Sequence, residues 1–339
     1  MTVEAAKLTA KDFASDQEVR WCPACGDYAI LKAMQRTMPE LAVPKENIVF
    51  VSGIGCAARF PYYMSTYGFH TIHGRGPAIA TGIKLANPHL DVWLTTGDGD
   101  SLSIGGNHLI HVLRRNVDMQ ILMFNNETYG LTKGQYSPTS RVGTKSPSTP
   151  LGSLDTPLSG CAVALAAGAR FVARGVDISK GLADLFKAAH AHRGTSFVEI
   201  FQNCIVFNDG VFDHFADRSV APDKQVLVEH DKPMLFGKER QYGIRLKPGS
   251  LELEVVTLGE NGIGNEDILR HDESNKILAS ALIEMEPPDF PVAIGVIYRR
   301  SDATYESMVH AQIDAAVQEQ PDVELSELLQ QGRTWLVAG

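Results

Sequence analysis

Two thiols stand two residues apart across a proline, Cys22 and Cys25 in WCPACGD, and three more cysteines follow at 56, 161 and 204. Thiolates bind soft metals, so four of them can hold an iron-sulfur cluster or a zinc ion. Structural zinc sites more often join two close-set Cys-x-x-Cys units. Here one pair is accompanied by two distant singles: Cys56 in the glycine loop VSGIGCAARF, and Cys204 after the apolar run SFVEIFQNC. The spacing puts a cluster ahead of zinc and ahead of unconnected buried thiols, and leaves all three open. Cys161, in SGCAVALAAG among small apolar residues, reads as a helical core thiol. Five cysteines, an odd number in 339 residues, do not make a secreted disulfide framework.

A second set of residues offers oxygen. Gly97-Asp98-Gly99 falls where an apolar run ends, and Asn125-Asn126 ends the next such run. A carboxylate at one strand end and an amide oxygen at its neighbour can converge on Mg2+, which takes oxygen ligands and completes its shell with phosphate. The glycines let backbone approach a diphosphate, and a helix expected to begin near Ile104 offers its unpaired amides. A lone GDG is commonly a turn. GDG followed one helix later by a strand ending in NN resembles the thiamine diphosphate motif. Beside such a cofactor, Ser52-Gly53-Ile54-Gly55-Cys56 becomes a second glycine-rich loop able to run past the ligand.

These residues need a scaffold, and the first two thirds of the chain supplies one. NIVFVSGIG, DVWLTTGDGD, MQILMFNN, ARFVARGV and SFVEIFQN are compact apolar runs of strand length. Between them YAILKAMQRTM, GPAIATGIKLA, NHLIHVLRRN, SGCAVALAAGA and GLADLFKAAHAH have helical spacing. The alternation predicts an α/β fold, a mostly parallel sheet with helices on both faces and ligands at the carboxyl ends of the strands. The stretch from Tyr129 to Leu158 has no period and reads as an exposed linker or a functional loop. After Asp217 the pattern weakens. We expect residues 1–217 to form the cofactor-binding domain and 218–339 a C-terminal extension that lies on the core and on a partner.

Composition bounds the partners. With 44% hydrophobic residues the chain supports a full core, and a formal net charge of −9 argues against a surface for nucleic acid. The first twenty residues show no apolar segment behind a basic start, and no run reaches the ~18 apolar residues of a membrane helix, so a soluble cytoplasmic protein is expected. His73 and Arg75, in TIHGRGPAIATGIK, precede a helix and face substrate or partner, or act structurally. His108 and His111 share a helix without an acidic third ligand, and read as helix-packing residues.

The segments WCPACGD, GIGCAAR, HGRGPAIATGIKLANP, GDGDSLSIGGNHLIHVLRRN, NNETYGLTKGQYSPTS and FVEIFQNC closely resemble the β subunit of 2-oxoacid:ferredoxin oxidoreductases, nearest the 2-oxoglutarate branch. The likeness runs in order over about residues 15 to 240. It implies the thiamine diphosphate-binding fold, with Ser52, Gly53, Gly55, Cys56, Gly97 and Gly99 along the cofactor. It also implies Mg2+ held by Asp98, the side chain of Asn126 and the carbonyl of Thr128, and a 4Fe-4S cluster on Cys22, Cys25, Cys56 and Cys204. The family's CPGC is here CPAC, and Ala24 is expected to be harmless; residues 249–275 look longer than usual.

The implied reaction is coenzyme A-dependent oxidative decarboxylation of 2-oxoglutarate to succinyl-CoA and CO2, or its reductive reverse, with electrons passing through the cluster to ferredoxin. An α subunit supplies the activating glutamate, in an αβ heterodimer or a dimer of heterodimers. Lys133, on the long loop in YGLTKGQYSP, is expected to pair with the distal carboxylate of 2-oxoglutarate, or else to be a solvated loop lysine. Alternatives are the same chemistry on pyruvate or a broad 2-oxoacid range, a non-redox thiamine decarboxylase with structural zinc, and a non-catalytic subunit that kept the fold.

Overall fold

The computed structural model describes residues 8–319, 324–332, 334, 335 and 337. Residues 1–7, part of the stretch inspected for a leader, lie outside them. Strands β1 (Ile48–Ser52), β2 (Tyr67–His70), β3 (Asp91–Gly97), β4 (Met119–Asn125), β5 (Phe171–Val176) and β6 (Thr195–Phe201) pair in parallel in the spatial order β2-β1-β3-β4-β6-β5. Two later strands, β7 (Gln225–Val228) and β8 (Val292–Arg299), complete an eight-stranded sheet. β8 pairs antiparallel with β5 and parallel with β7.

The apolar runs are continuous because both faces of the sheet are covered. Side chains alternate between two cores: Val49, Val51, Leu94, Ile121 and Met123 enter one, while Ile48, Phe50, Trp93, Leu122 and Phe124 enter the other. The flanking helices are α1 (Asp27–Leu41), α2 (Gly76–Ala86), α3 (Gly106–Arg115), α4 (Gly160–Ala166), α5 (Leu182–Ala191) and α6 (Lys276–Ile283). α1 and α5 close the second core through Met34 and Phe186, and the other four close the first through residues such as Leu109 and Cys161. Each such fully buried large side chain contributes about 1.5–3 kcal/mol, so the two cores together outweigh any single polar contact.

From β1 the chain pairs β2 on one side, then crosses to place β3 on the other. That reversal opens a crevice beyond the carboxyl ends of β1 and β3, the usual ligand position in such sheets.

Several expectations need correction. The helix expected near Ile104 is two helices: a short one at Asp98–Leu102 that starts directly after β3, and α3 from Gly106. The edge strand β2 carries no sequence signal because all four of its residues are exposed. The boundary at residue 217 does not divide the sheet. The C-terminal part supplies β7, β8 and α6 to the same core, and adds a three-stranded antiparallel sheet of Leu235–Phe236, Tyr242–Leu246 and Leu253–Thr257. The stretch 129–158 is not a linker: it holds a short ladder between Thr128–Tyr129 and Gln135–Tyr136, then buries Ser137, Thr139 and Ser140. His111 is exposed and His108 half-buried, and the buried face of the helix is formed by Leu109, Val112 and Leu113 instead. No helix among the described residues is long and apolar enough to cross a membrane.

Candidate active site

Gly97 ends β3 in an extended conformation and the chain turns at once into the helix Asp98–Leu102, which buries Asp98 in its first turn. Two hydroxyls from the long loop donate to one carboxylate oxygen, Ser137 Oγ at 2.5 Å and Thr139 Oγ1 at 2.6 Å from Oδ2. No lysine or arginine among the described residues pairs with Asp98. Burial therefore pushes its pKa up to about 6 in spite of both hydroxyls. At the end of β4, Asn126 accepts the Thr128 N–H on Oδ1 at 3.2 Å and donates from Nδ2 to Gln202 Oε1 at 2.8 Å.

Between them Glu127, also buried, is pushed up to about 7 by burial, with Arg141 at 3.6 Å working against the shift and Asp98 adding to it. The buried carboxylate of Asp98, which has no cationic partner, and the amide oxygen of Asn126 are donors that suit a hard divalent cation. Asp98, Asn126 and Thr128 line a cavity of about 330 Å3, together with Gly97, Gly99, Gly55, Cys56 and His73.

Asp100 holds the cavity's loops together. Its carboxylate accepts Ile54 N at 3.1 Å, Gly74 N at 2.8 Å and Thr96 Oγ1 at 2.9 Å, which ties the loop after β1 and the turn before α2 to the end of β3. A side chain at Gly53 would collide with that carboxylate, and one at Gly99 with the ring of Tyr129. These two glycines are therefore needed for protein packing as well as for any approach to a ligand.

Cys56 lines the cavity, and the segments that carry Cys22, Cys25 and Cys204 are tied to its loop or pass beside it. Trp21 Nε1 donates to the Cys56 carbonyl at 2.8 Å, and Gly26 N donates to the Asn203 carbonyl at 3.1 Å, so the Cys22–Cys25 turn is bound to the loops of Cys56 and Cys204. Gly130 passes beside both loops: a methyl there would lie 3.5 Å from Cys56 Sγ and 3.6 Å from Cys204 Sγ. Burial raises the Cys25 thiol, and the charges of Asp27, Cys204 and Cys56 raise it further; Cys56 is pushed up to about 12 by burial, then by Asp27. Asp27 itself is buried with both oxygens unbonded, and burial brings its pKa to about 7. With only Arg59 working against the shift at Cys56, these groups favour their protonated forms, and a metal centre would supply further positive charge. No three His, Cys, Asp or Glu side chains among the described residues converge as ligands of a single metal ion.

Of the remaining residues singled out in the sequence, Ser52 turns away from the cavity: its hydroxyl donates to the Ala58 carbonyl at 2.7 Å and lies 3.0 Å from His70 Nδ1, shaping the Cys56 turn. Arg75 leaves the cavity wall to His73 and reaches the Ile104 carbonyl at 3.5 Å. Lys133 is exposed, with φ 78°, just beyond the cavity-lining Leu131 and Thr132. Cys161 is a buried α4 residue 3.3 Å from Glu199 Oε2, apart from the other four. Sequence reasoning missed Asp27, Asp100, Glu127, Gly130, Ser137, Thr139 and Gln202. Only Asp100 carried a signal, as the second carboxylate of GDGD.

Residues 53–200 match the family model described as thiamine pyrophosphate enzyme, C-terminal TPP binding domain. The chain is 48% identical over 333 residues to 2-oxoglutarate oxidoreductase subunit KorB of Mycobacterium tuberculosis, covering 96% of this chain and 88% of that protein. To 2-oxoacid:ferredoxin oxidoreductase 2, subunit beta, of Aeropyrum pernix it is 42% identical over 252 residues, 71% of this chain and 82% of that one. A solved 2-oxoglutarate:ferredoxin oxidoreductase from Magnetococcus marinus, with 2-oxoglutarate, coenzyme A and succinyl-CoA bound, superposes with a TM-score of 0.77 at 30% identity over 98% of each chain. With Asp98, Asn126 and Cys56 lining one cavity at the carboxyl ends of β1, β3 and β4, the chain belongs to the β subunits of the 2-oxoacid:ferredoxin oxidoreductases, in their 2-oxoglutarate branch.

Proposed function

We infer that this chain works with an α subunit to convert 2-oxoglutarate and coenzyme A into succinyl-CoA and CO2, or the reverse, exchanging electrons with ferredoxin. The observation that carries the reading is the single cavity that has the uncompensated carboxylate of Asp98 on one wall and Cys56 on another. Thiamine diphosphate, when bound, supplies the electron sink that loss of CO2 from a 2-oxoacid requires. Asp98, the Asn126 side chain and the Thr128 carbonyl hold Mg2+ against its diphosphate, while Ser137 and Thr139 orient Asp98. Cys22, Cys25, Cys56 and Cys204 hold a 4Fe-4S cluster. Cys56 lines the same cavity as Asp98, so a cluster it helped to hold would lie beside the thiamine site.

The glutamate that activates the aminopyrimidine comes from the α subunit, in an αβ heterodimer or a dimer of heterodimers. His73 faces the substrate from the cavity wall, with Arg75 behind it. Lys133 brings positive charge to the cavity mouth for the distal carboxylate. Lys133→Ala should raise KM for 2-oxoglutarate at least tenfold more than for pyruvate; equal changes for both substrates would remove that role.

The centre itself is tested by counting iron, acid-labile sulfide and zinc in protein purified without oxygen, beside Cys204→Ala. About four irons and four sulfides per chain, lost in the variant, are expected. One zinc and no sulfide would leave a thiamine enzyme with a structural metal and no electron carrier.

A further inference from the structure

Between the two proposed centres lies Gln202, in direct contact with a ligand of each. It follows Phe201 at the end of β6, and its backbone N–H donates to the Asn125 carbonyl at 2.8 Å, extending the β4 pairing by one residue. The side chain is buried at 1% exposure. Its Oε1 accepts Asn126 Nδ2 at 2.8 Å, and its Nε2 lies 2.6 Å from the Asn203 carbonyl and 3.3 Å from Cys25 Sγ.

Main-chain groups at both ends set the direction of this chain of amides. The Thr128 N–H can only donate, so it takes Asn126 Oδ1 as acceptor and turns Nδ2 toward Gln202. The Asn203 carbonyl can only accept, so the Gln202 amino group faces it, and its second hydrogen is left for Cys25. Asn126 Oδ1 keeps a second lone pair for a cation. The network is buried, where such bonds are strong and polarise one another.

We propose that Gln202 is a positioning residue that couples the Mg2+ site to the cluster: it orients the Asn126 amide for the cation and donates a hydrogen bond to the thiolate of Cys25. This rests on the reading of both centres given above. An N–H bond to a cluster sulfur stabilises the extra negative charge of the reduced state and so raises the reduction potential. A merely structural glutamine would leave that potential where it is.

The test compares the αβ holoenzyme with Gln202→Met, close in shape but without either bond, and with Gln202→Glu, which can still accept from Asn126 but as a carboxylate cannot donate to Cys25. Iron and sulfide are counted first; then the cluster is titrated by EPR at set potentials, and thiamine diphosphate binding is followed against Mg2+ concentration. Both variants are expected to keep the cluster and to shift its reduction equilibrium three- to tenfold toward the oxidised state, where tenfold is about 59 mV for one electron. The Mg2+ concentration for half-saturation is expected to rise several-fold in Gln202→Met and to stay close to the parent value in Gln202→Glu. If Gln202→Met does not assemble, Gln202→Leu, which also lacks both bonds and adds no charge, takes its place. A loaded parent enzyme whose cluster potential is unchanged in the assembled variants overturns the coupling alone; a parent enzyme with no iron overturns the reading of the centre and the coupling with it.

Discussion

Asp98 has a pKa near 6 in the folded chain because it is buried without a cationic partner. A divalent cation must compete there with a proton, so Mg2+ affinity should fall about tenfold per pH unit below about pH 6 and level off above it. The sign for stability follows from the same shift. A carboxyl whose folded pKa lies above its unfolded value holds its proton longer in the folded state, so in metal-free protein its contribution to stability diminishes as pH rises from about 4 through about 6. On the proposed reading, Mg2+ with thiamine diphosphate would restore what is lost. The difference in melting temperature between cofactor-loaded and EDTA-treated protein should therefore widen from pH 5 to 7.5, and a difference independent of pH would take Asp98 out of the cation site.

Among the local elements, the Cys22–Cys25 turn departs most from its sequence expectation. Ala24 adopts φ 63°, in the left-handed region that favours glycine. That geometry accounts for the family's glycine at this position, and makes Ala24 a strained substitution where a neutral one was expected. Ala24→Gly should raise unfolding stability by about 1 kcal/mol. The urea midpoint at constant slope measures this, and a lower midpoint would mean that the alanine methyl is favourable where it stands. The helix at Asp98–Leu102 teaches a similar lesson. Its residues look like a loop because glycine, aspartate and serine are poor helix formers, yet Asp100 anchors the turn through bonds to the loops after β1 and before α2.

Over the whole molecule, one sheet places every element of the site at its carboxyl edge. The residues after 217 belong to that sheet, since β8 covers the edge of β5 and α6 closes a core begun by β1, β3 and β4. The site is nonetheless incomplete within one chain: Ile104 and Leu131 line the cavity and remain exposed, 56% and 49%. Such apolar wall at a cavity mouth is surface for a partner to cover, in keeping with membership of a β-subunit family.

The apolar runs alone determined the five buried parallel strands, all but the exposed edge strand β2, because a strand covered on both faces must be apolar throughout, and the repeat is written in adjacent residues. The GDG and NN motifs determined which carboxylate and which amide stand at neighbouring strand ends, since each motif directly follows its strand. Tertiary structure decided the rest. Which hydroxyls of a serine- and threonine-rich loop would reach Asp98 depends on how a loop of some thirty residues folds back. β7 and β8 are joined to the parallel strands by sheet pairing and by no motif. Gln202 and Cys25 lie 177 residues apart and meet only once β6 and α1 are in place. Periodicity reports which face of an element is buried; it carries no information about which distant loop will meet that element's end.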